Sequence, residues 1–238
     1  MKLLDRSGGN TKLAKTDKQA GVAYHFAGLS MYPTKELCPG SKAAGCMSDC
    51  LKEAGLAAVY GSVNAARKLK TQFFLEDRAG FMQQYRRELF NYDKWCTKKG
   101  VVGVVRGNVL QDIRWEDEEI PQEFHRLQFY DYTKQADRFY RDLPTNYQLM
   151  FSYSGKSTYK NQVKSFLESG SDAAIAVVFR DKNFPTTFLG RPVINGDESD
   201  WVNVQQRNVV VGLVAKGPAK TNSNGFVVDT NVIPTFNI

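Results

Sequence analysis

The chain has 238 residues, of which 42% are hydrophobic, 12% aromatic and 24% charged, with a formal net charge of +7 and a pI near 9.1. This composition can bury a sizeable core, which excludes a disordered chain. No run approaches the roughly 18 consecutive apolar residues of a membrane span, and residues 1–6 lack the apolar segment of a signal peptide. The sequence therefore predicts a cytoplasmic protein with no membrane partner.

The first half of the chain reads as an arm, a cysteine loop and helices. Residues 1–37 are polar and rich in Gly and Lys, which favours an irregular arm or short hairpin. The cysteine loop and helices follow over 38–98, with a helix-compatible stretch at 51–60. Apolar residues then recur at helical spacing and predict two helices over 63–95 with a break near Gly80. These apolar positions are Ala66, Leu69, Phe73, Phe74, Phe81, Tyr85, Leu89 and Phe90.

Beyond residue 98 the pattern changes to short apolar runs that recur about every 20–25 residues, the spacing of βα units. The runs are 101–105, 127–132, 147–153, 173–179, 192–195 and 209–215. Several are apolar throughout, as strands of a covered parallel sheet are. We therefore expect one domain over 1–238 with an α/β fold, whose core at 99–238 is a partial or complete β/α barrel of the TIM type.

The ends of these runs supply candidate site residues, because barrel strands carry their chemistry at their carboxyl ends. Arg106, Asn108, Ser152 and Ser154 are candidates for binding a cosubstrate. Lys134, Asp112 and Asp197 are the candidate catalytic residues. The alternative is that these are the ordinary polar residues of connecting loops.

Three cysteines lie within thirteen residues, in the run Cys-Pro-Gly-Ser-Lys-Ala-Ala-Gly-Cys-Met-Ser-Asp-Cys at 38–50. In a reducing compartment such crowding favours metal ligation over disulfides. Structural zinc usually takes two Cys or His pairs, and here Cys96 stands alone with only two histidines in the chain. Cys38, Cys46 and Cys50 are therefore predicted to bind an iron–sulfur cluster, most simply a 4Fe–4S cubane, with zinc as the alternative.

Cys96 decides what such a cluster could do. As a fourth ligand it would close the site, which would then be structural or electron-transferring. If Cys96 is instead a buried small hydrophobe, one iron is open and could bind a substrate or S-adenosylmethionine.

The net positive charge permits nucleic-acid binding, because Lys and Arg that neutralise phosphates release counterions. The basic residues are spread along the chain without a recognisable nucleic-acid module, so a solvated basic surface is the alternative. The residues themselves do not identify a protein partner.

Several motifs of this chain resemble a family of bacteriophage proteins, the gene product eighty-eight group. They are Gly9 to Leu13, the Cys-Pro-Gly loop, Ala66-Arg67, Lys70-Thr71, Phe73-Phe74, Arg106, the Tyr-Asp-Tyr-Thr-Lys run at 130–134, Ser152 to Ser154 and Gly196-Asp197. The resemblance covers most of the chain and implies a phage protein in the host cytoplasm. Some members carry a replication label, which implies DNA or a host protein as partner.

The three-cysteine loop before a βα series is also similar, more distantly, to radical S-adenosylmethionine enzymes. The spacing here is Cys-x7-Cys-x3-Cys, whereas those enzymes use Cys-x3-Cys-x2-Cys, so the similarity extends to a cluster but not to the signature of the radical chemistry. The sequence thus leaves two readings: a cluster-containing enzyme of unknown substrate, or a non-enzymatic cluster or zinc module in electron transfer or in binding DNA or a host protein.

Overall fold

The computed structural model describes residues 1–6, 23–48, 50, 59–197 and 199–230. Its strands are β1 (Leu4–Arg6), β2 (Tyr24–Leu29), β3 (Val102–Arg106), β4 (Gln128–Thr133), β5 (Tyr147–Ser152), β6 (Ile175–Phe179), β7 (Thr187–Phe188), β8 (Arg191–Asn195) and β9 (Val210–Val214). Its α-helices are α1 (Ser41–Ala44), α2 (Gly61–Glu76), α3 (Arg78–Lys99), α4 (Ile120–Glu123), α5 (Lys160–Glu168) and α6 (Asp200–Val204). Short 3₁₀ helices cover Ala136–Tyr140, Ser157–Tyr159 and Gly217–Thr221.

The strands form one sheet in the order β1-β2-β3-β4-β5-β6-β9-β8-β7. The seven central strands, β2-β3-β4-β5-β6-β9-β8 in that order, are all parallel. The edge strands β1 and β7 pair antiparallel with β2 and β8. The predicted α/β class is confirmed. Among the described residues the sheet is open, because β1 and β7 each have a single neighbour and do not pair with each other, so a complete barrel is not seen.

All six apolar runs of the second half contain strands, β3, β4, β5, β6, β8 and β9. Of the irregular arm or short hairpin predicted for 1–37, the antiparallel pairing of β1 with β2 agrees with the hairpin. The prediction still needs correction, because β2 also lies in the parallel sheet beside β3. The Tyr-His-Phe-Ala-Gly-Leu sequence of β2 mixes polar and small residues with apolar ones. Its place in the sheet therefore comes from pairing with the more apolar β3 and not from its own pattern.

The two long helices and the break near Gly80 are confirmed, with the break itself at Asp77, three residues before Gly80. Asp77 ends α2 and caps α3, since its carboxylate accepts a hydrogen bond from the Gly80 backbone N–H at 2.9 Å. Leu69 and Phe90, which share the helical apolar pattern, are both 57% exposed. The helix expected at 51–60 falls mostly outside the described residues.

The sheet has two differently covered faces, because side chains alternate along each strand. On one face, which we call the outer face, Val105 and Phe129 belong to a core that includes residues of α2 and α3. On the opposite face, which we call the inner face, Val104, Tyr130 and Met150 pack with Trp201 of α6. Arg106, Tyr132 and Ser152 follow on the inner face by the same alternation, at the carboxyl ends of β3, β4 and β5.

No helix in the described part of the chain combines the length and apolarity that crossing a membrane requires.

Candidate functional site

A cavity of about 350 Å³ lies at the carboxyl edge of the parallel strands. Its lining residues come from the cysteine loop, from the ends of β3, β4, β5, β6, β8 and β9, and from α6. They are Cys38, Ser41, Cys46, Cys50, Arg106, Asn108, Val109, Leu110, Gln111, Asp112, Tyr132, Lys134, Ser152, Val178, Gly196, Asp197, Asp200, Leu213, Val214, Lys216, Ala219 and Phe226. Parallel strands bring their carboxyl ends to one edge, which is why residues so distant in sequence meet here.

The cavity gathers most of the residues singled out from the sequence. Nine of them line it: Cys38, Cys46, Cys50, Arg106, Asn108, Asp112, Lys134, Ser152 and Asp197. Ser154 and Cys96 are outside the lining.

The cysteine loop has its own internal hydrogen bonds. The Ser41 hydroxyl donates to the Cys38 carbonyl at 2.6 Å, and the Cys46 backbone N–H donates to the Ser41 carbonyl at 3.1 Å. Between them α1 ends at Gly45, whose φ of 72° is the left-handed conformation that glycine adopts at low cost. The loop thus turns sharply and brings Cys38 and Cys46 to the same cavity.

Side chains of later segments hold this loop in place. The Ser154 hydroxyl donates to the Ala44 carbonyl at 2.7 Å, and the Thr158 hydroxyl donates to the Ala43 carbonyl at 2.6 Å. The amide of Asn224 donates to the Gly45 carbonyl at 2.8 Å. Ser154, predicted as a cosubstrate ligand, therefore contacts the loop backbone instead of lining the cavity.

The three loop thiols lie in partly desolvated surroundings. Cys38 is buried and its thiol faces the Leu110 carbonyl at 3.4 Å. Burial raises the pKa of Cys38, and the charges of Asp112, Cys50 and Cys46 raise this pKa further. The thiols therefore lie close enough to influence one another, and the Cys38 thiol keeps its proton at neutral pH unless a cation displaces it.

Two basic side chains approach the other two thiols. Arg67 of α2 interacts electrostatically with Cys50, and Lys134 interacts with Cys46. Positive charge near a thiol favours its thiolate form, which is the form that binds metals.

Within the described ranges, no three or more His, Cys, Asp or Glu side chains are grouped closely enough to hold one metal ion. The thiolates of a cubane cluster bind different iron atoms and are further apart than the ligands of a single ion. The described residues thus form no preorganised site for a single zinc ion.

Lys134 is a buried lysine with an unusual set of partners. Its ammonium group donates to the Ser152 carbonyl at 2.9 Å, the Ser152 hydroxyl at 2.8 Å and the Tyr153 carbonyl at 3.0 Å. Burial lowers the pKa of Lys134, while the charges of Cys46 and Asp112 raise it. Its three donors are occupied, so Lys134 supplies positive charge to the cavity wall more readily than it supplies a proton.

Lys134 also differs from the other buried basic residues. Lys70 pairs with Asp5 at 3.3 Å, and Arg138 pairs with Glu116 at 2.7 Å and with Asp112 at 3.2 Å. Among the buried basic side chains that the structure describes, Lys134 alone makes no ion pair with a carboxylate. A buried charge of this kind is normally balanced by an opposite charge.

Arg106 lies on another wall of the cavity, paired with Asp200 at 2.5 Å. The Tyr132 hydroxyl donates to the other oxygen of Asp200 at 3.2 Å, and the Arg106 guanidinium lies 4.7 Å from the centre of the Tyr132 ring. Asp200 comes from α6 and belongs to none of the strand-end runs. The sequence carries no local signal for its role, because only the packing of α6 on the inner face brings it to Arg106.

Asn108 and Asp112 line the cavity, but their side chains are engaged in internal contacts. The Asn108 amide donates to the Ile113 carbonyl at 2.8 Å and to Asp131 at 2.9 Å. Asp112 accepts from the Lys134 backbone N–H at 2.8 Å and pairs with Arg138. These two residues therefore shape the cavity wall and have little capacity left to bind a ligand.

Behind Asn108, Asp131 is a fully buried carboxyl group. It accepts hydrogen bonds from the Asn108 backbone N–H at 2.5 Å and from the Tyr147 hydroxyl at 2.7 Å. Burial raises the pKa of Asp131 to about 7, although these hydrogen bonds lower it. Asp131 is therefore a buried group that titrates near neutral pH and holds the segment after β3.

Asp197 lies at the end of β8, where one oxygen accepts from the Val214 backbone N–H at 3.1 Å. Its other oxygen pairs with Lys216, which the strand-end pattern did not identify. The pair therefore joins the ends of β8 and β9 beside the cavity.

Cys96 lies in a different part of the molecule. It is buried in α3, in the core formed with Tyr92 and Leu127 on the outer face of the sheet. A Cβ atom added to Gly103 would lie 2.9 Å from the Cys96 sulfur, so the helix packs closely on β3 here. The structure does not bring Cys96 together with the three loop cysteines.

Comparison with known proteins identifies a family. The family model described as Gene product 88 matches residues 1–230. No curated protein and no solved structure matches the chain, so the distant likeness to radical S-adenosylmethionine enzymes gains no support. The phage-family resemblance seen in the motifs is confirmed, and the chain belongs to the Gene product 88 family.

Proposed function

We propose that this protein binds an iron–sulfur cluster through Cys38, Cys46 and Cys50 and is an enzyme that acts on a small molecule in the adjoining cavity. The observation that carries the proposal is that three cysteines of one loop line the same cavity as the ends of six strands. Chemistry at the carboxyl ends of parallel strands is typical of β/α barrels. The seven parallel strands support a partial barrel of this kind.

The charges around the cysteines suit an anionic, thiolate-bound metal centre, and the spacing of the described ligands favours a cluster over a single zinc ion. A cubane held by three thiolates has a net negative charge, and Lys134 and Arg67 would balance that charge. Lys134 makes no ion pair with a carboxylate among the described residues, so an anionic group beside it would lower the cost of burying its ammonium. A single zinc ion, in contrast, would need ligands closer together than any described group of His, Cys, Asp and Glu.

The position of Cys96 favours an open iron. Because Cys96 lies in the α3 core and not at the cavity, the loop supplies three protein thiolates. When bound, such a cluster provides one-electron chemistry and a coordination position for a small molecule. S-adenosylmethionine is one candidate for that position.

The wall formed by Arg106, Tyr132 and Asp200 suits a polar small molecule, since it presents both a cation and a carboxylate. Ser152, whose hydroxyl accepts from Lys134, can still donate its own proton to a ligand. Of the three candidate catalytic residues, Asp112 and Lys134 are better suited to positioning because their polar atoms are occupied. Asp197 would act together with Lys216, with which it is paired.

None of the four cysteines, all of which lie within the described ranges, forms a disulfide, which fits a host-cell cytoplasm as the location of the protein.

The test is iron and acid-labile sulfide analysis, with absorption and electron paramagnetic resonance spectra, on anaerobically purified protein. The parent would be compared with Cys46→Ala and with Cys96→Ala as the matched control. We expect cluster iron and sulfide in the parent and in Cys96→Ala, and their loss in Cys46→Ala. Stoichiometric zinc without sulfide, or loss of the cluster in Cys96→Ala with the fold intact, would contradict the proposal.

A second measurement distinguishes an enzyme from a non-enzymatic cluster-binding module. Titration of S-adenosylmethionine into the cluster-loaded protein should perturb the spectrum if the molecule binds an open iron. A cluster that survives in Cys96→Ala but responds to no small molecule would favour electron transfer, or binding of DNA or a host protein, over catalysis.

A further inference from the structure

The exposed side of α3 carries a row of basic residues that the cavity does not use. Arg87, Lys94 and Lys98 are exposed and lie on one side of the helix, because their spacings of seven and four residues are close to two turns and one turn. We call these three residues the α3 stripe. At a rise of 1.5 Å per residue the stripe is about 16 Å long.

The stripe is not neutralised by the helix that carries it. The two acidic residues of α3 have other partners. Glu88 accepts hydrogen bonds from the backbone N–H groups of Leu3 and Leu4 at 2.8–3.0 Å. Asp93 forms an ion pair with Arg126. In the part of the chain that the structure describes, Arg87, Lys94 and Lys98 make no ion pair, whereas Arg78 and Arg86 of the same helix do. The stripe therefore presents uncompensated positive charge.

A cleft beside the stripe adds further cations. It has a volume of about 350 Å³ and its lining includes Lys2, Arg6 and Arg87. Glu88, the carboxylate among its described lining residues, accepts hydrogen bonds from the backbone N–H groups of Leu3 and Leu4. The Arg6 guanidinium lies 5.2 Å from the ring centres of both Tyr92 and Trp95, which holds it at the surface of α3.

An exposed aromatic ring interrupts the stripe. Phe90 lies between Arg87 and Lys94 along α3 and is 57% exposed. Basic residues that follow a backbone, together with exposed aromatic rings on which bases stack, are the usual features of surfaces that bind single-stranded nucleic acids.

From these observations we propose that the α3 stripe and the adjoining cleft bind the backbone of a nucleic-acid strand, with Phe90 stacking on a base. At 3.4 Å per phosphate along one strand, the stripe matches roughly five nucleotides. The binding is independent of the cavity and of any cluster, so it goes beyond the function proposed above.

The test measures the affinity of the full chain for a fluorescein-labelled 20-nucleotide single-stranded DNA, the same sequence as RNA, and the duplex, by anisotropy from 50 to 200 mM salt. The stripe variant carries Arg87→Gln, Lys94→Gln and Lys98→Gln. The control variant carries Lys160→Gln, Lys164→Gln and Lys182→Gln, which remove the same charge from exposed positions on other segments. A thermal melt confirms that each variant is folded.

We expect the stripe variant to bind single strands more weakly and to lose about two units of the slope of log K against log salt, at roughly 0.7 units per phosphate contact. The control variant should bind like the parent. Phe90→Ala should weaken single-strand binding by about five-fold or more while leaving the duplex less affected. Equal losses in the two triple variants, or absence of salt-dependent binding by the parent, would overturn the proposal, as would binding of anionic vesicles alone.

Discussion

Gly40 of the cysteine loop lies directly against Lys134 at the end of β4. A Cβ atom added to Gly40 would come within 2.8 Å of the Lys134 Cβ, which is shorter than real Cβ contacts. The loop can therefore approach the strand end only because residue 40 has no side chain. Since Cys38 and Ser41 flank this contact, the backbone there positions the thiols relative to the buried ammonium.

This contact predicts the effect of Gly40→Ala. The added methyl group meets the base of a buried side chain and cannot be accommodated unless the loop moves, so we expect a lower melting temperature and less bound iron per chain. Gly61→Ala is the matched control, because a Cβ at Gly61 meets nothing within 4 Å and alanine favours the helix. Iron content and thermal melts of both variants check the prediction, and unchanged iron in Gly40→Ala would contradict it.

Ser154→Ala should loosen the loop without altering the cavity lining. The substitution removes the 2.7 Å hydrogen bond to the Ala44 carbonyl and leaves a buried acceptor without this donor, which costs about 1 kcal/mol or more. We expect a lower free energy of unfolding and faster release of bound iron to a chelator. Ser157→Ala, at an exposed neighbouring position, serves as the control and should match the parent in both measurements.

Lys134→Met should shift the reduction potential of the proposed cluster. Methionine retains the buried chain but removes one positive charge near Cys46, which makes adding an electron less favourable, so the potential should fall by tens of millivolts. Potentiometric titration followed by electron paramagnetic resonance measures the shift. Lys70→Met removes another buried lysine, paired with Asp5 and outside the cavity lining. It should lower stability but leave the potential unchanged, and an equal shift in both variants would argue against a role for Lys134.

Asp131 should make the stability of the protein depend on pH. Its pKa is raised from the ordinary value of 3.8 to about 7, so the folded state holds a proton that the unfolded state has already released. The stability contributed by this group is complete below about pH 4 and is lost as the pH rises towards 7, with a slope on the order of 1 kcal/mol per pH unit.

Urea unfolding between pH 4 and 8 measures this component in the metal-free protein. Asp131→Asn should remove this pH-dependent component. The variant should also be less stable at every pH, because its amide N–H groups would face the hydrogen-bond donors of Asn108 and Tyr147. Asp137→Asn, at an exposed carboxylate paired with Arg114, should retain the slope of the parent. If Asp131→Asn keeps the same pH dependence, the slope has another origin.

The site and the fold were predictable from the sequence to different extents. The apolar runs at 101–105 and 209–215 are local patterns, and each contains a strand because a covered parallel strand needs apolar residues on both faces. Strand ends could then be located, and Arg106, Lys134 and Ser152 line one cavity for that reason. β2 was missed because its sequence is less apolar and its position depends on its neighbour.

The sequence by itself determined the α/β class, the six strands of the second half and the crowding of Cys38, Cys46 and Cys50, since all of these depend on residues close together in the chain. Only the tertiary structure decided that Cys96 lies away from the loop, that Ser154 contacts the loop backbone and that Asp200 pairs with Arg106. The contacts of Ser154 and Asp200 join residues 110 and 94 positions apart. Such contacts form only when the sheet brings distant segments together, so no pattern within a short window of sequence records them.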